Sequence, residues 1–168
     1  MLFDSAGKLV VVQNGKGIFV YTLGADGCLA SSKQIITMAS LNHGIALSPD
    51  GKTLYASGQT TAYSWPYDAE TSTVGNSTTL VTGMYVGGTH PTRTLTISKK
   101  NPNLLVVSHG SNNNFDYAAE DPATGRACVK VFDISKAPAG GYNYAKEGYM
   151  MGYGLRNEIG IVFDGNDM

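Results

Sequence analysis

Short apolar runs alternate with clusters of Gly, Asp, Asn and Pro along the whole chain. No segment sustains apolar residues at the i, i+3, i+4, i+7 spacing of an amphipathic helix, so helix is expected to be minor at most. The runs predict strands at Leu9–Val12, Gly17–Leu23, Gln34–Met38, Ile45–Ser48, Thr53–Ser57, Thr61–Tyr67, Thr78–Thr82, Thr94–Ser98, Leu104–Ser108, Val129–Ile134 and Ile159–Phe163. The turns between them hold residues that tolerate positive φ and therefore close hairpins.

The strands recur as a unit. In Phe3-Asp4-Ser5-Ala6-Gly7-Lys8-Leu9 and Ser48-Pro49-Asp50-Gly51-Lys52-Thr53-Leu54, Gly7-Lys8 falls on Gly51-Lys52 at an offset of 44 residues, a spacing typical of repeat folds. Thr94–Ser98, the turn with Asn101-Pro102-Asn103, and Leu104–Ser108 repeat the shape, and Ile159–Phe163 with Asp164-Gly165-Asn166 starts it again. A period of about 44 to 65 residues with about four strands per unit is what a β-propeller blade requires. The chain is therefore read as all-β: a partial propeller domain over residues 1–168, an arc of three blades and the start of a fourth. Closing a ring takes about four to eight blades, so a fragment is expected. A β-sandwich with coincidental turns is the alternative.

Composition agrees with turn-rich β-structure. Charged residues make up only 15% of the chain, against 21 Gly and 10 Tyr, which excludes the charge-rich, aromatic-poor signature of disorder. A net charge of −1 without a Lys/Arg run argues against nucleic acid as a partner. No stretch approaches the ~20 apolar residues of a membrane span, and no membrane partner is expected. Cys28 and Cys128 fit no metal spacing; two unpaired thiols and a disulfide, mutual or with other partners, both remain open. Asn76-Ser77-Thr78 is a glycosylation acceptor, which with the cysteines mildly favours secretion.

In a propeller, residues just before each innermost strand gather at one mouth of the channel. His90 precedes Ile97 by the same interval as Arg156 precedes Phe163, and Asn42 and His43 precede Leu47 at nearly the same place. The register brings an imidazole, a guanidinium and the amides of Asn42 and Asn157 to one rim, where a base could work beside fixed positive charge. Arg93 either binds an anion there or pairs with a surface carboxylate. His109 reads as a loop residue, Ser111–Asn114 with Asp116 as a turn lacking the calcium-loop spacing, Gly15-Lys16-Gly17 as a hairpin, and Trp65 as packing.

At these residues the chain resembles the soluble pyrroloquinoline-quinone (PQQ)-dependent sugar dehydrogenases, closest to the fungal pyranose or sorbosone dehydrogenase-like members. His90-Pro91-Thr92-Arg93-Thr94-Leu95 resembles the entry to the blade carrying the catalytic base, and Gly152-Tyr153-Gly154-Leu155-Arg156-Asn157-Glu158-Ile159-Gly160 the segment that holds the quinone. Leu41-Asn42-His43-Gly44 is similar to a sugar-side loop. The resemblance implies a six-bladed secreted propeller, with His90 taking the proton of the anomeric hydroxyl while hydride passes to C5 of the quinone. It further implies Arg156, Asn157 and Arg93 on the cofactor, Asn42 or His43 on the sugar, and an electron-acceptor protein such as a cytochrome. In the family, Ca²⁺ polarises the quinone from a Gly-Pro turn after the strand corresponding to Ile159–Phe163; no such turn precedes Met168, so no metal ligand is assigned here and the chain by itself is expected to be inactive. A lactonase-type hydrolytic propeller and a non-catalytic interaction propeller are the competing readings.

Overall fold

The structure, a computed structural model, describes residues 1–164. It is an arc of three antiparallel sheets, each one propeller blade. Blade 1 comprises β1 (Leu2–Phe3), β2 (Leu9–Gln13), β3 (Gly17–Leu23) and β4 (Leu29–Thr37), in that order. Blade 2 is built from β5 (Leu41–Leu47), β6 (Thr53–Gly58), β7 (Ala62–Asp68) and β9 (Thr78–Thr82), with the two-residue β8 (Thr73–Val74) also paired to β7. Blade 3 has β10 (Leu95–Ile97), β11 (Leu104–His109), β12 (Cys128–Asp133) and β14 (Tyr149–Tyr153). A short strand from the third unit, β13 (Tyr142–Asn143), leaves its own blade and pairs in parallel with β9 of blade 2. Helix is confined, among the described residues, to three single 3-10 turns.

The recurrent turn has a local cause. Asp4 Oδ1 accepts from the amides of Ala6 and Lys8, and Asp50 Oδ1 accepts from the Lys52 amide and the Ser48 hydroxyl. Gly7 and Gly51 then take φ of +74° and +71°, which a side chain would resist. In blade 3 the Ser98 hydroxyl and the Asn101 carboxamide accept from Asn101 N and Asn103 N, closing the same turn without an Asp-Gly pair.

Two apolar clusters join the blades. One, with Val10, Ile18, Leu41, Leu54 and Trp65, lies between blades 1 and 2; the other, with Leu80, Leu95, Leu105, Phe132 and Tyr144, lies between blades 2 and 3. Trp65 is thus a packing residue. Polar ties reinforce the first junction: Tyr67 donates to Asp4 Oδ2 at 2.6 Å, and Lys8 Nζ to the carbonyls of Ala69 and Glu70 at 2.7 and 2.8 Å.

Ile159–Phe163, expected as a strand, carries no ladder. A strand needs a neighbour to take its amides and carbonyls, and none lies beside it among the described residues. Side chains serve the backbone there instead, with the carbonyls of Glu158 and Ile159 accepting from Thr94 and His43. The outer strands also depart from expectation. Most of β4 is exposed and polar, so its first half shows no apolar alternation, and β14 was concealed in a Gly- and Tyr-rich segment.

Candidate functional site

The loop His90–Thr94, which feeds β10, is tied by hydrogen bonds to Asn42 of β5 and to the segment after Arg156, although His90 is not among the residues lining the cleft of Arg156. His90 is buried, and its Nδ1 donates to the carbonyl of Ser111 at 2.8 Å. A carbonyl can only accept, so the Nδ1 proton is fixed and the lone pair of the neutral ring resides on Nε2. Ser111 also donates its amide to Arg156 O at 2.8 Å. One residue after β11 therefore ties the imidazole-bearing loop to the Arg156 segment.

The neighbouring residues fasten the same segments. Asn42, on β5 of blade 2, donates from Nδ2 to Pro91 O at 2.9 Å, while its Oδ1 is buried without a partner. His43 Nε2 donates to Ile159 O at 3.1 Å. Thr92 Oγ1 donates to Asn157 Oδ1 at 3.4 Å, and Thr94 Oγ1 to Glu158 O at 2.6 Å. Close approach depends on missing side chains: a Cβ on Gly44 would meet Arg93 O at 2.2 Å, and one on Gly110 would meet Arg156 O at 2.5 Å.

Arg156 is exposed and lines a cleft of about 500 Å³ with Ser111, Asn114, Tyr153 and Leu155. Asn114 Oδ1 accepts from its guanidinium. Asp116, on the same wall, is already neutralised by Arg126 at 2.9 Å, and Arg126 lies over the Tyr85 ring at 3.8 Å. Glu120, an exposed carboxylate, lines the same cleft.

Arg93 departs from the sequence expectation of a cofactor ligand. Only 1% exposed, its guanidinium donates to the carbonyls of His90 at 2.9 Å, Thr92 at 2.8 Å and Tyr85 at 2.6 Å. It pins the loop through both Nη groups, while its buried Nε has no partner. Burial depresses it to about 10, which leaves it charged at neutral pH.

The sequence reading also missed two groups. His109 ends β11 rather than occupying a loop, with Nδ1 donating to Gly110 O at 2.8 Å and Nε2 accepting from Tyr85 N at 3.0 Å. Burial, and then the nearby Arg93 charge, lowers it to about 4, so it is neutral and structural. Glu158 received no role; its carboxylate is sealed in the interior and burial raises its pKa. Its position inside a motif read for Arg156 and Asn157 was the only available signal. Cys28 and Cys128 are both free thiols.

Three antiparallel blades in an arc, with a His-bearing loop against an Arg-Asn segment, define a partial β-propeller. Residues 1–168 match the TrAA12-like family model. The chain is 43% identical to the pyrroloquinoline quinone-dependent pyranose dehydrogenase of Coprinopsis cinerea, over 96% of this chain and 22% of that protein. It is 37% identical to the pyrroloquinoline quinone-dependent sugar dehydrogenase of Hypocrea jecorina, over 96% of this chain and 39% of that one. The holo PQQ domain of the Coprinopsis pyranose dehydrogenase superposes with a TM-score of 0.92, covering 97% of this chain and 40% of that domain. This chain belongs to the TrAA12-like family, and it spans well under half the length of these relatives.

Proposed function

We propose that this chain forms part of a secreted PQQ-dependent dehydrogenase oxidising pyranoses or related sugars at the anomeric carbon. The observation that carries the reading is the superposition of nearly the whole chain on a PQQ domain from a pyranose dehydrogenase. PQQ is an anionic tricarboxylate, and Arg156 offers an exposed guanidinium on a cleft wall that also carries Glu120 and the Arg126-paired Asp116. When bound, the quinone supplies a two-electron acceptor for the sugar's hydride. Arg156 holds that anionic group and Asn157 orients it, while Asn42, with an unpartnered Oδ1, and His43 lie on the sugar side. His90 Nε2 takes the hydroxyl proton, a step whose base is worth about 10²–10⁴ in rate. An electron-acceptor protein such as a cytochrome would complete the cycle.

Among the described residues no group of three or more His, Cys, Asp or Glu could hold a metal, and no Ca²⁺ ligand is assigned to them. No step is assigned to it here. The 168 residues alone are expected to give no sugar turnover.

The test is a chimera in which these residues replace the matching segment of the Coprinopsis PQQ domain. It is supplied with PQQ, Ca²⁺, a panel of pyranoses and a dye acceptor. Turnover that falls about 10²–10⁴-fold in His90→Ala, with PQQ binding retained, supports the assignment. A chimera that binds PQQ and turns over equally well without His90 overturns it.

A further inference from the structure

Glu158 is an anomaly in the described fold. Both its carboxylate oxygens are shut off from solvent, and neither accepts a hydrogen bond. An isolated buried carboxylate is costly, and such groups persist where an opposite charge can meet them. Its backbone is not free to swing the group outward. Thr94 Oγ1 and Ser108 Oγ both donate to Glu158 O, at 2.6 and 3.2 Å, and the Ser111 amide holds the preceding Arg156 carbonyl. These anchors belong to the elements that also carry the His90 loop.

Three titratable side chains interact electrostatically with the carboxylate: His90, from the loop that Thr94 ties to Glu158 O, Cys128 from β12 and Tyr144 from the segment after β13. Cys128 and Tyr144 are neutral acids, both raised by burial, with Tyr144 Oη donating to the carbonyls of Val107 and Cys128. Arg93 lies beyond them, faces Tyr144 and His109, and has its Nη donors committed to carbonyls. Only the His90 imidazole gains positive charge by accepting a proton.

We propose that Glu158 is a positioning residue for His90, a dry carboxylate counter-charge that stabilises the imidazolium formed when the base takes the sugar hydroxyl's proton. The inference rests on the reading of His90 as that base. In the step the O–H bond breaks, the proton moves to Nε2, and Glu158 neither gains nor loses one.

The experiment reads the pair directly in the 168-residue chain, without cofactor. Carboxyl-labelled glutamate is followed by ¹³C NMR as pH is varied, and the Glu158 signal is assigned by its disappearance in Glu158→Gln. In wild type the carboxyl titrates above the ordinary carboxylate range, and His90→Gln moves it further up by about one unit, a tenfold change in proton affinity, because an opposite charge has been removed. If His90→Gln disturbs the fold, wild type carries a second readout. The His90 Cε1–H resonance shows an inflection at the Glu158 midpoint, which is lost in Glu158→Gln and kept in Glu158→Asp. An unchanged Glu158 midpoint, or a His90 signal blind to it, overturns the proposal. Coupling here without His90-dependent turnover in the chimera would instead overturn the base assignment, so the two failures are distinguishable.

Discussion

Gly44 is the residue on which the seating of the His90 loop against blade 2 depends most directly. In Gly44→Ala the new methyl would lie 2.2 Å from Arg93 O, 2.3 Å from Ser57 Oγ and 2.9 Å from Leu95 Cγ, where ordinary contact begins at 3.4 Å. The nearest atom is main chain, so rotating a side chain cannot relieve the overlap; the β5 backbone or the loop must shift by about an ångström. That shift also strains the buried hydrogen bond from Ser57 Oγ to Arg93 O, now 2.6 Å long. Overpacking costs about 1–3 kcal/mol and an orphaned buried hydroxyl about 1–3 kcal/mol more, giving an expected loss of about 2–6 kcal/mol. Urea unfolding followed by Trp65 fluorescence measures it. With a slope of about 2 kcal/mol per molar, the midpoint falls by about 1–3 M. Gly160→Ala is the control, since its methyl would meet nothing within 4 Å. A Gly44→Ala midpoint equal to that of the control would refute the close-packed seating of the loop.

Three further outcomes follow from individual side chains. His109 is lowered from 6.5 to about 4 in the fold, so the unfolded chain binds its proton first. Its contribution is present above pH 6.5 and is lost as pH falls toward 4, about 3 kcal/mol in all, and urea midpoints of His109→Gln should slope less steeply across that window than those of wild type. Cys28 is exposed and Cys128 is buried with a raised thiol, so a thiol reagent should modify Cys28 alone until denaturant is added; prompt native-state labelling of Cys128 would contradict the packing of β12. Asn76 is exposed in the loop before β9, so expression through a secretory pathway should add a glycan mass that Asn76→Gln abolishes.

The architecture could be read from the chain because Asp-Gly and Asn-Pro-Asn turns impose hairpins locally, whatever the tertiary context. The apolar runs in Gly17–Leu23 and Thr78–Thr82 likewise mark buried strands, and both have the expected bounds. Register along the repeat also put the segments bearing His90, Asn42, His43 and Arg156-Asn157 within hydrogen-bonding reach of one another, although the cleft that Arg156 lines does not include His90. Arg93 could not be resolved in the same way. Whether a guanidinium faces a ligand or its own loop depends on which carbonyls come within reach, and the Tyr85 carbonyl that helps bind it belongs to a non-repeating connection. Glu158 was invisible for a related reason: nothing local distinguishes an exposed acid from one that Thr94 and Ser108 hold facing inward.

The excursion of β13 onto blade 2 bears on how this fold can be divided. Tyr142 and Asn143 align with Val81 and Thr82, Tyr144 N donates to Thr82 O at 2.8 Å, and Lys130 Nζ, from β12, donates to Tyr144 O at 2.7 Å. The third unit thus finishes the outer edge of the second before completing itself. The period written in the sequence is consequently not a transferable module. A blade copied, deleted or swapped at the repeat boundary would leave its predecessor with an unpaired edge, and insertions that respect both units belong in the turns rather than between the blades.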